Sequence, residues 1–510
     1  MKILTLLVLL CAAVTLRAQT RPNVLIILAD DMGFSDAGCY GGEIETPHLD
    51  RLAAGGLRFT QFYNTARCWP SRTAVMCGYY PQQVRADPKR GRLPDWATTL
   101  PQKLKPLGYR CYHTGKWHIP GAPKPLADAG FDRSLQLDDH DRNFNPLLLM
   151  EDDKRLLPVK PGTGFYTTTA FADHMIGCLK DHAVQHKAQP FFAYLAFTVP
   201  HFPLHALPED IAKYRERYKK GWDVLRTERF EKMKKLGIAQ GELPPLETNI
   251  TAPSGREPDA ALIGAGEMRQ ARAWDSLTDE QRDLQATKMA IHAAMVDRMD
   301  RETGRVLAQL DAMGAMENTL ILFCSDNGAS AELMIRGDGH DRNAAPGSAG
   351  SFLCLGPGGS SLANTPFRRH KIWVHEGGIA TPLIVHWPPG IKDRGALRHD
   401  MGHVIDFMPT ILELAGAPAV PALAGRSLVP AFARDGTVTR EFLFFHHENN
   451  RALRMGDWKL VSAGDGDWEL YDLKKDRGES HNLAAAQPDR VRSMTARWQA
   501  LEDGYVKQSK

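Results

Sequence analysis

Acidic residues follow directly after two apolar runs that are far apart in the sequence. Asp30 and Asp31 come after Asn-Val-Leu-Ile-Ile-Leu-Ala, and Asp326 and Asn327 come after Thr-Leu-Ile-Leu-Phe-Cys-Ser. Such runs are typical of buried strands in a parallel sheet, where ligands bind beyond the carboxyl ends of the strands. If the two strands are neighbours, three carboxylates and one amide converge, and these oxygen donors suit a hard cation such as Ca²⁺ or Mg²⁺. Each acidic pair alone could instead cap a turn or a helix.

A cysteine lies between these acidic pairs in the segment Cys68-Trp69-Pro70-Ser71-Arg72. Taken alone, a segment of five residues can match a motif by chance, and its cysteine could be a buried structural residue. Four more segments that combine glycine or proline with lysine, histidine or acidic residues accompany it. They are Gly108-Tyr109 leading to Gly115-Lys116-Trp117-His118, Pro200-His201-Phe202-Pro203, Ser325-Asp326-Asn327-Gly328, and Lys371 followed by Glu376-Gly377-Gly378.

In order and spacing, these segments resemble those of the type I sulfatases over roughly residues 21–480. In that family the motif cysteine is oxidised after translation to formylglycine, an aldehyde. The resemblance implies an α/β fold, with a large alkaline-phosphatase-like domain whose mostly parallel central sheet is flanked by helices. It also implies an enzyme that hydrolyses sulfate monoesters.

The resemblance assigns one Ca²⁺ ion to the acidic segments. The implied ligands are Asp30, Asp31, Asp326 and Asn327, together with a hydroxyl of the hydrated formylglycine formed from Cys68. A metal-bound hydroxyl has a lowered pKa, so it becomes a nucleophile at neutral pH. The maturation enzyme that forms formylglycine is therefore an implied partner.

The same resemblance assigns catalytic roles to the basic residues. Lys116 and Lys371 would bind the sulfate oxygens and offset the charge that develops on them, and Arg72 would stabilise the diol. His201, or alternatively Lys371, would protonate the departing oxygen. His118 would help to remove the proton of the second hydroxyl, which expels sulfate and restores the aldehyde.

Several other polar residues have no assigned role in this scheme. For His446 and His447 a structural role is favoured over a position in the substrate cleft, and for His340 the two alternatives are balanced. His375 is interpreted as structural. The segment Gly356–Ser361 is glycine-rich but lacks the Gly-Lys-Ser/Thr ending of a phosphate loop, so it is interpreted as a flexible linker.

The elements that must position these residues can be predicted from apolar periodicity. Strands alternate with helices up to about residue 435, which indicates a parallel sheet. Residues 207–260 are charged and contain proline, and they are expected to form a surface insertion. Residues 337–366 are expected to form a long loop. Beyond the strands already described, the predicted strands are 191–197 and 382–387, and the predicted helices are 48–57 and 279–313.

The last part of the chain has a different pattern. Short strand-like runs separated by glycine and aspartate turns begin near residue 441, and a polar helix is predicted at about 486–503. We therefore predict a catalytic domain over residues 19–435 and a small antiparallel α+β subdomain over residues 436–510.

Composition excludes several classes of protein. The 510 residues include 63 Lys+Arg and 60 Asp+Glu, a net charge of +3 that is too balanced for binding nucleic acid by phosphate neutralisation. The eight cysteines are scattered without a Cys-x-x-Cys pair, which argues against a zinc ribbon or a disulfide scaffold. The number and spacing of the cysteines therefore indicate no function, apart from the motif at Cys68.

The N-terminus has the pattern of a secretory signal peptide over residues 1–18. A basic residue, a short apolar run and Ala18 follow one another, and the run is too short for a permanent membrane span. After cleavage the protein is expected to be free of the membrane and either periplasmic or secreted.

Export and the motifs favour a sulfatase acting on sulfated carbohydrates, with aryl sulfates as the other substrate class. One alternative is a phosphatase or phosphodiesterase of the alkaline phosphatase superfamily, although those enzymes use serine or threonine and two zinc ions. Few histidines flank the acidic pairs, which argues against two zinc ions. The other alternative is a glycan-binding protein without activity, which should have lost some of these residues.

Overall fold

The computed structural model describes residues 21–88, 90–123, 126–253, 257–420 and 422–510. The predicted signal peptide lies outside these residues. The fold is α/β, as predicted, with one large mixed sheet and a four-stranded antiparallel sheet near the C-terminus. The strands are β1 (Asn23–Asp30), β2 (Leu57–Phe59), β3 (Phe62–Tyr63), β4 (Arg110–Gly115), β5 (Arg133–Leu137), β6 (Leu149–Glu151), β7 (Lys154–Arg155), β8 (Phe191–Pro200), β9 (Thr319–Ser325), β10 (Leu383–His386), β11 (Leu397–Arg398), β12 (Gly402–His403), β13 (Leu443–His447), β14 (Asn450–Met455), β15 (Trp458–Ser462) and β16 (Glu469–Asp472).

The large sheet has the strand order β11-β2-β10-β9-β1-β8-β4-β5-β6-β7. Its five central strands, from β9 to β5, are parallel, and antiparallel pairs join β10 to β9 and β6 to β5. Apolar side chains on both faces of β1 are fully buried, which explains the continuous apolar run in its sequence. Strand β1 pairs directly with β9, and Ala29 lies opposite Ser325. The predicted adjacency of these two strands is confirmed.

Helices cover the faces of this sheet. The longest, α8, begins with a capping box in which the Thr278 hydroxyl accepts from the Gln281 backbone N–H at 3.2 Å. The helices are α1 (Pro47–Gly55), α2 (Cys68–Cys77), α3 (Leu100–Leu104), α4 (Thr167–Gln185), α5 (Pro208–Tyr214), α6 (Trp222–Lys235), α7 (Glu257–Ile263), α8 (Asp279–Ala312), α9 (Gly356–Ala363), α10 (Glu376–Ile379), α11 (Phe407–Leu414), α12 (Val429–Ala433) and α13 (Pro488–Gln508).

The prediction that residues 207–260 form a surface insertion is wrong for α6. Trp222, Leu225 and Met233 on this helix are buried in the main core. Arg229, on the same helix, is also buried, because its charge is neutralised by carboxylates such as that of Asp36, at 2.8 Å. The charged composition thus concealed a helix that packs against the core through its apolar residues.

The prediction of a flexible linker over Gly356–Ser361 is also wrong. These residues form most of α9, and all residues of this helix are buried. A Cβ atom on Gly358 would lie 2.5 Å from the Trp222 ring, so glycine allows α6 and α9 to approach closely. The glycines therefore serve helix packing. Of the predicted loop, residues 337–355 have neither helix nor strand.

The C-terminal sheet has the strand order β13-β14-β15-β16 and is accompanied by α13. A buried ion cluster connects it to the larger part of the protein. Lys459 of β15 lies 3.0 Å from Glu376 and 2.7 Å from Glu479, and all three side chains are inaccessible to solvent. The domain boundary at residue 435 stays a prediction.

Two findings concern the described residues as a whole. Within them, no helix combines the length and apolar character needed to cross a membrane. Their seven cysteines are all free thiols, at positions 39, 68, 77, 111, 178, 324 and 354.

Candidate active site

The carboxylates predicted to converge lie together at the carboxyl ends of β1 and β9. The Asp326 backbone N–H donates to the Ala29 carbonyl at 3.1 Å and extends the strand pairing by one residue. Asp31 then adopts a left-handed conformation with φ of +68°, which turns the chain out of the sheet. Its backbone N–H donates to the Asp326 carboxylate at 3.3 Å, and its carboxylate accepts from the Asn327 side chain at 2.6 Å.

Two oxygen atoms in this group are buried and have no hydrogen-bond partner. They are Oδ1 of Asp30 and Oδ1 of Asn327. Buried polar atoms are normally paired, so an unpaired acceptor in a carboxylate cluster indicates that the cluster can bind a cation. Ligand atoms of Asp30, Asp31 and His201 lie within 4.8 Å of one another. These donors fit a hard cation, with the oxygens as its main ligands.

Three basic side chains surround the carboxylates. Lys116 Nζ lies 2.6 Å from Asp30, Lys371 Nζ lies 2.9 Å from Asp31, and Arg72 Nε donates to Asp326 at 2.8 Å. These side chains are all buried. These three ion pairs hold each basic group next to the carboxylate cluster, where it could also contact an anion bound at the cluster.

Burial and charge act in opposite directions on these groups. Burial favours the neutral form of Asp30, but Lys116, Arg72 and Lys371 outweigh it and lower its pKa. Burial raises the pKa of Asp31 and also that of Asp326, and the charge of Asp30 adds to both effects. Three carboxylates in one buried site thus compete for positive charge.

Cys68 is the first residue of α2, and its side chain is buried, with only 3% of the residue exposed. The helix entrance is fixed by Ser71, whose hydroxyl accepts from the Thr65 backbone N–H at 3.0 Å. Arg72 donates to the Lys116 carbonyl at 2.7 Å and thereby joins α2 to the end of β4. The N-terminus of a helix favours negative charge, so this position suits an anionic nucleophile or a bound anion.

Three histidine rings form one wall of the site. His118 and His201 were predicted, whereas His140 was not. The His140 ring centroid lies 4.9 Å from that of His201 and 5.7 Å from that of His118. Burial is the main cause that lowers the pKa of each ring, and the charge of Lys116 adds to it. The only sequence signal for His140 is its position just after β5, a central parallel strand.

A buried glutamate near Lys371 was also missed. Glu332 lies 3.1 Å from Lys371 Nζ and 3.0 Å from Arg67, and it accepts from the Ser330 hydroxyl at 3.0 Å. Burial alone would lower the pKa of Lys371, but Asp31 and Glu332 raise it above its ordinary value. Glu332 therefore holds Lys371 charged and in position.

Glu332→Gln is expected to lower the free energy of unfolding by about 3 kcal/mol at pH 7. Burial opposes ionisation, yet Lys371 and Arg67 lower the pKa of Glu332 from 4.5 to about 2. A depressed pKa contributes stability that is complete above the unfolded value and is lost as the pH falls toward 2. Urea unfolding of both proteins at several pH values between about 7 and 3 should show the difference shrinking.

A matched control is Glu228→Gln on α6. Glu228 is half exposed and pairs with Lys220 at 2.9 Å, so its loss should cost less than about 0.5 kcal/mol at any pH. Equal stability of Glu332→Gln and the unmutated protein at pH 7 would contradict the role assigned to Glu332.

The remaining predicted residues lie outside this group. His447 is buried and bonds to Asp87 at 2.9 Å, and His446 lies 3.2 Å from Glu502. His340 accepts from the Phe352 backbone N–H at 2.9 Å. His375 precedes α10 as its N-cap residue. In each case these contacts are structural.

Comparison with known proteins agrees with this geometry. The family model described as Sulfatase matches residues 22–417, and one described as N-sulphoglucosamine sulphohydrolase, C-terminal, matches residues 368–502. An uncharacterized sulfatase of Schizosaccharomyces pombe is 32% identical, covering 94% of this chain and 93% of its own. The arylsulfatase of Klebsiella aerogenes is 32% identical, and the match covers 81% of this chain and 90% of that protein.

The fold is also found in solved structures. BT4656, in complex with its substrate D-glucosamine-2-N,6-O-disulfate, superposes with a TM-score of 0.69 at 21% identity, covering 95% of this chain and 98% of that one. The family match spans most of the sequence and includes every segment that builds the site. The chain therefore belongs to the sulfatase family, and it is a sulfuric ester hydrolase.

Proposed function

We propose that this protein hydrolyses sulfate monoesters with a formylglycine nucleophile formed from Cys68 and with one bound Ca²⁺ ion. The observation that carries the proposal is the placement of Cys68. It stands at the N-terminus of a buried helix, within charge-interaction range of Lys371, Arg72 and Asp326. In the same site, the Asp30 carboxylate has an unpaired oxygen.

The donor set supports a hard cation, and the resemblance to the type I sulfatases favours calcium as that ion. The proposed ligands are Asp30, Asp31, Asp326 and Asn327, which offer only oxygen atoms in the arrangement described above. When bound, the ion would lower the pKa of a hydroxyl on residue 68 and offset the charge of the carboxylates.

The first chemical step requires a nucleophile, an anchored sulfate and a proton donor. Lys116 and Lys371 hold the sulfate oxygens, while one hydroxyl of the hydrated formylglycine at position 68, after losing its proton to water, forms a bond to sulfur. The bond between sulfur and the ester oxygen breaks, and His201 or Lys371 gives a proton to that oxygen. Lys371 is favoured as the proton donor by its contacts with Asp31 and Glu332, which keep it protonated. His201 is favoured by the position of its Nε2, 3.9 Å from Asp31.

The second step regenerates the residue. His118 accepts the proton of the remaining hydroxyl, a carbonyl forms, and the bond between carbon and the sulfate oxygen breaks. Sulfate leaves and the aldehyde is restored, ready for hydration by water. A serine at position 68 has no second hydroxyl, so its sulfate ester could not collapse in this way.

We also propose that the substrate is a sulfated carbohydrate and that the protein works in the periplasm or outside the cell. The signal pattern over residues 1–18 supports export. BT4656, which has the same fold, takes a sulfated glucosamine as its substrate. A panel of sulfated sugars, an aryl sulfate and a phosphate monoester tests the proposal by release of sulfate or phosphate. Preference for the phosphate ester would contradict it.

Mass spectrometry of the peptide that contains Cys68 tests the modification. Protein made together with a maturation enzyme should give a peptide about 18 Da lighter than the thiol form, because the thiol is replaced by an aldehyde. The peptide that contains Cys111 is the internal control and should keep its thiol mass. An unmodified Cys68 in active protein would exclude the formylglycine mechanism.

A further inference from the structure

Three arginines flank the entrance to the site. Arg67 and Arg90 lie on the side of Trp69, the residue after Cys68, whose ring centroid lies 6.1 Å from that of His118. On the other side, Arg336 donates to Nε2 of His140 at 3.3 Å. All three charges thus lie close to the histidine wall of the site.

Two of these arginines are neutralised by carboxylates of the protein. Arg67 pairs with the buried Glu332 at 3.0 Å, and Arg336 pairs with Asp141 at 2.7 Å. Both guanidinium groups therefore contribute little unbalanced charge to the entrance. Each carboxylate partner also takes up part of the guanidinium's capacity to bind another anion.

Arg90 differs from the other two. Its guanidinium carbon lies 3.8 Å from the centroid of the Trp69 ring, and its side chain is exposed. Among the residues that the structure describes, no carboxylate lies within ion-pair distance of Arg90. A cation stacked on an aromatic face keeps its N–H groups free at its edge.

The platform beneath Arg90 is fixed in place. The indole N–H of Trp69 donates to the Ala86 carbonyl at 3.0 Å, and its ring packs edge-on against His447 at 5.3 Å. Trp69 itself is only 5% exposed. A rigid ring therefore holds an unpaired guanidinium near His118, where its charge acts on the histidine ring, whereas the ester sulfate already has Lys116 and Lys371.

We propose that Arg90 binds a second anionic group on the substrate, a carboxylate or a further sulfate carried by the leaving group. The inference rests on the proposed function and narrows its substrates to esters whose organic part is itself negatively charged. A guanidinium edge matches both groups, since each offers two oxygens to parallel N–H donors.

The test compares two aryl sulfates that differ in one charge, 3-carboxyphenyl sulfate and 3-carbamoylphenyl sulfate. The ratio of their kcat/KM values should favour the carboxylate in the unmutated protein. Arg90→Gln should lower that ratio about tenfold, because one charge-assisted contact is lost. The disulfate ester of 1,3-dihydroxybenzene, compared in the same way, shows whether a second sulfate is preferred to a carboxylate.

Arg92→Gln is the matched control. Arg92 is exposed, lies two residues further along and pairs with Asp95 at 3.4 Å, so its removal changes the net charge equally without touching Trp69. The control should keep the ratio of the unmutated protein. If Arg90→Gln and Arg92→Gln lower the ratio equally, the effect of Arg90 is long-range attraction only, and the inference is overturned. If Arg90→Gln lowers kcat/KM equally for both substrates, the ratio does not change and the inference is also overturned.

If the unmutated protein prefers neither the carboxylate nor the second sulfate over the carbamoyl group, the inference is also overturned, while sulfatase activity itself would stand. If neither aryl ester is hydrolysed by protein with a converted Cys68, the panel of sulfated sugars decides whether the proposed function itself fails. In that case the dissociation constants of the two esters are compared for the unmutated protein and for Arg90→Gln. Tighter binding of the carboxylate ester that is lost in Arg90→Gln supports the role of Arg90, and an unchanged ratio overturns it.

Discussion

Cys68→Ala is expected to abolish sulfate release, lowering kcat by roughly 10⁴-fold or more while the fold is kept. Alanine cannot be oxidised to an aldehyde, so the attacking hydroxyl and the second hydroxyl that expels sulfate are lost together. The change removes a single buried sulfur atom, and the contacts of Lys116, Lys371 and Arg72 with their carboxylates do not involve it. Sulfate release and circular dichroism measured on the same preparation separate the two effects.

Cys77→Ala is the matched control for this prediction. Cys77 ends the same helix and is equally buried, and burial raises the pKa of its thiol to about 12. Its replacement should keep turnover and cost only the stability of one small buried group. Cys68→Ser is a second comparison. Serine has one hydroxyl that could attack sulfur but no second hydroxyl to expel the sulfate, so this variant should not turn over. Turnover retained by Cys68→Ala would point to another nucleophile.

Removal of Ca²⁺ with a chelator is expected to abolish activity and to lower the melting temperature. The proposed ion would be the partner of the Asp30 and Asn327 oxygens that have no hydrogen bond within the protein. Its removal would leave these oxygens without a partner and the buried carboxylates repelling one another. Saturation at a hundredfold excess over Kd stabilises a protein by about 2.7 kcal/mol, so restoring calcium should raise the melting temperature measurably. Thermal unfolding with added Ca²⁺, Mg²⁺ or Zn²⁺ measures which ion produces the rise.

The variant Asp30→Asn makes this prediction specific to the site. It should lose the calcium-dependent rise in melting temperature, whatever its own stability in the absence of metal. Asp95→Asn, at an exposed position, should keep the rise. An unchanged melting temperature and unchanged activity of the original protein in the chelator would refute a calcium requirement.

The sequence allowed the main elements of the site to be predicted because the information there is local. Asp30 and Asp326 each follow a recognisable buried strand, and parallel strands end at the same edge of a sheet. Cys68 lies in a motif. Glu332 and His140 have no such signal, because their positions depend on the path of loops between elements. Arg90 becomes meaningful only when its contact with Trp69 is known.

The two errors in the predicted fold have one physical origin. Charge and glycine content were read as signs of exposure, yet Arg229 is buried with acidic partners and Gly358 lets Trp222 pack against a helix. Both features arise from pairs of segments that meet only in the folded protein. Composition along the chain cannot report such pairs, whereas apolar periodicity correctly placed α8 and the strands β1, β8 and β9.

The complete burial of α2 bears on how this enzyme becomes active in a cell. All ten residues of the helix are buried, including Cys68 at its start. Under the proposed conversion of Cys68, an oxidising enzyme would have to reach a side chain that the folded protein buries. Conversion is therefore expected to occur before the chain folds. A molecule that folds with an unmodified Cys68 is expected to stay inactive.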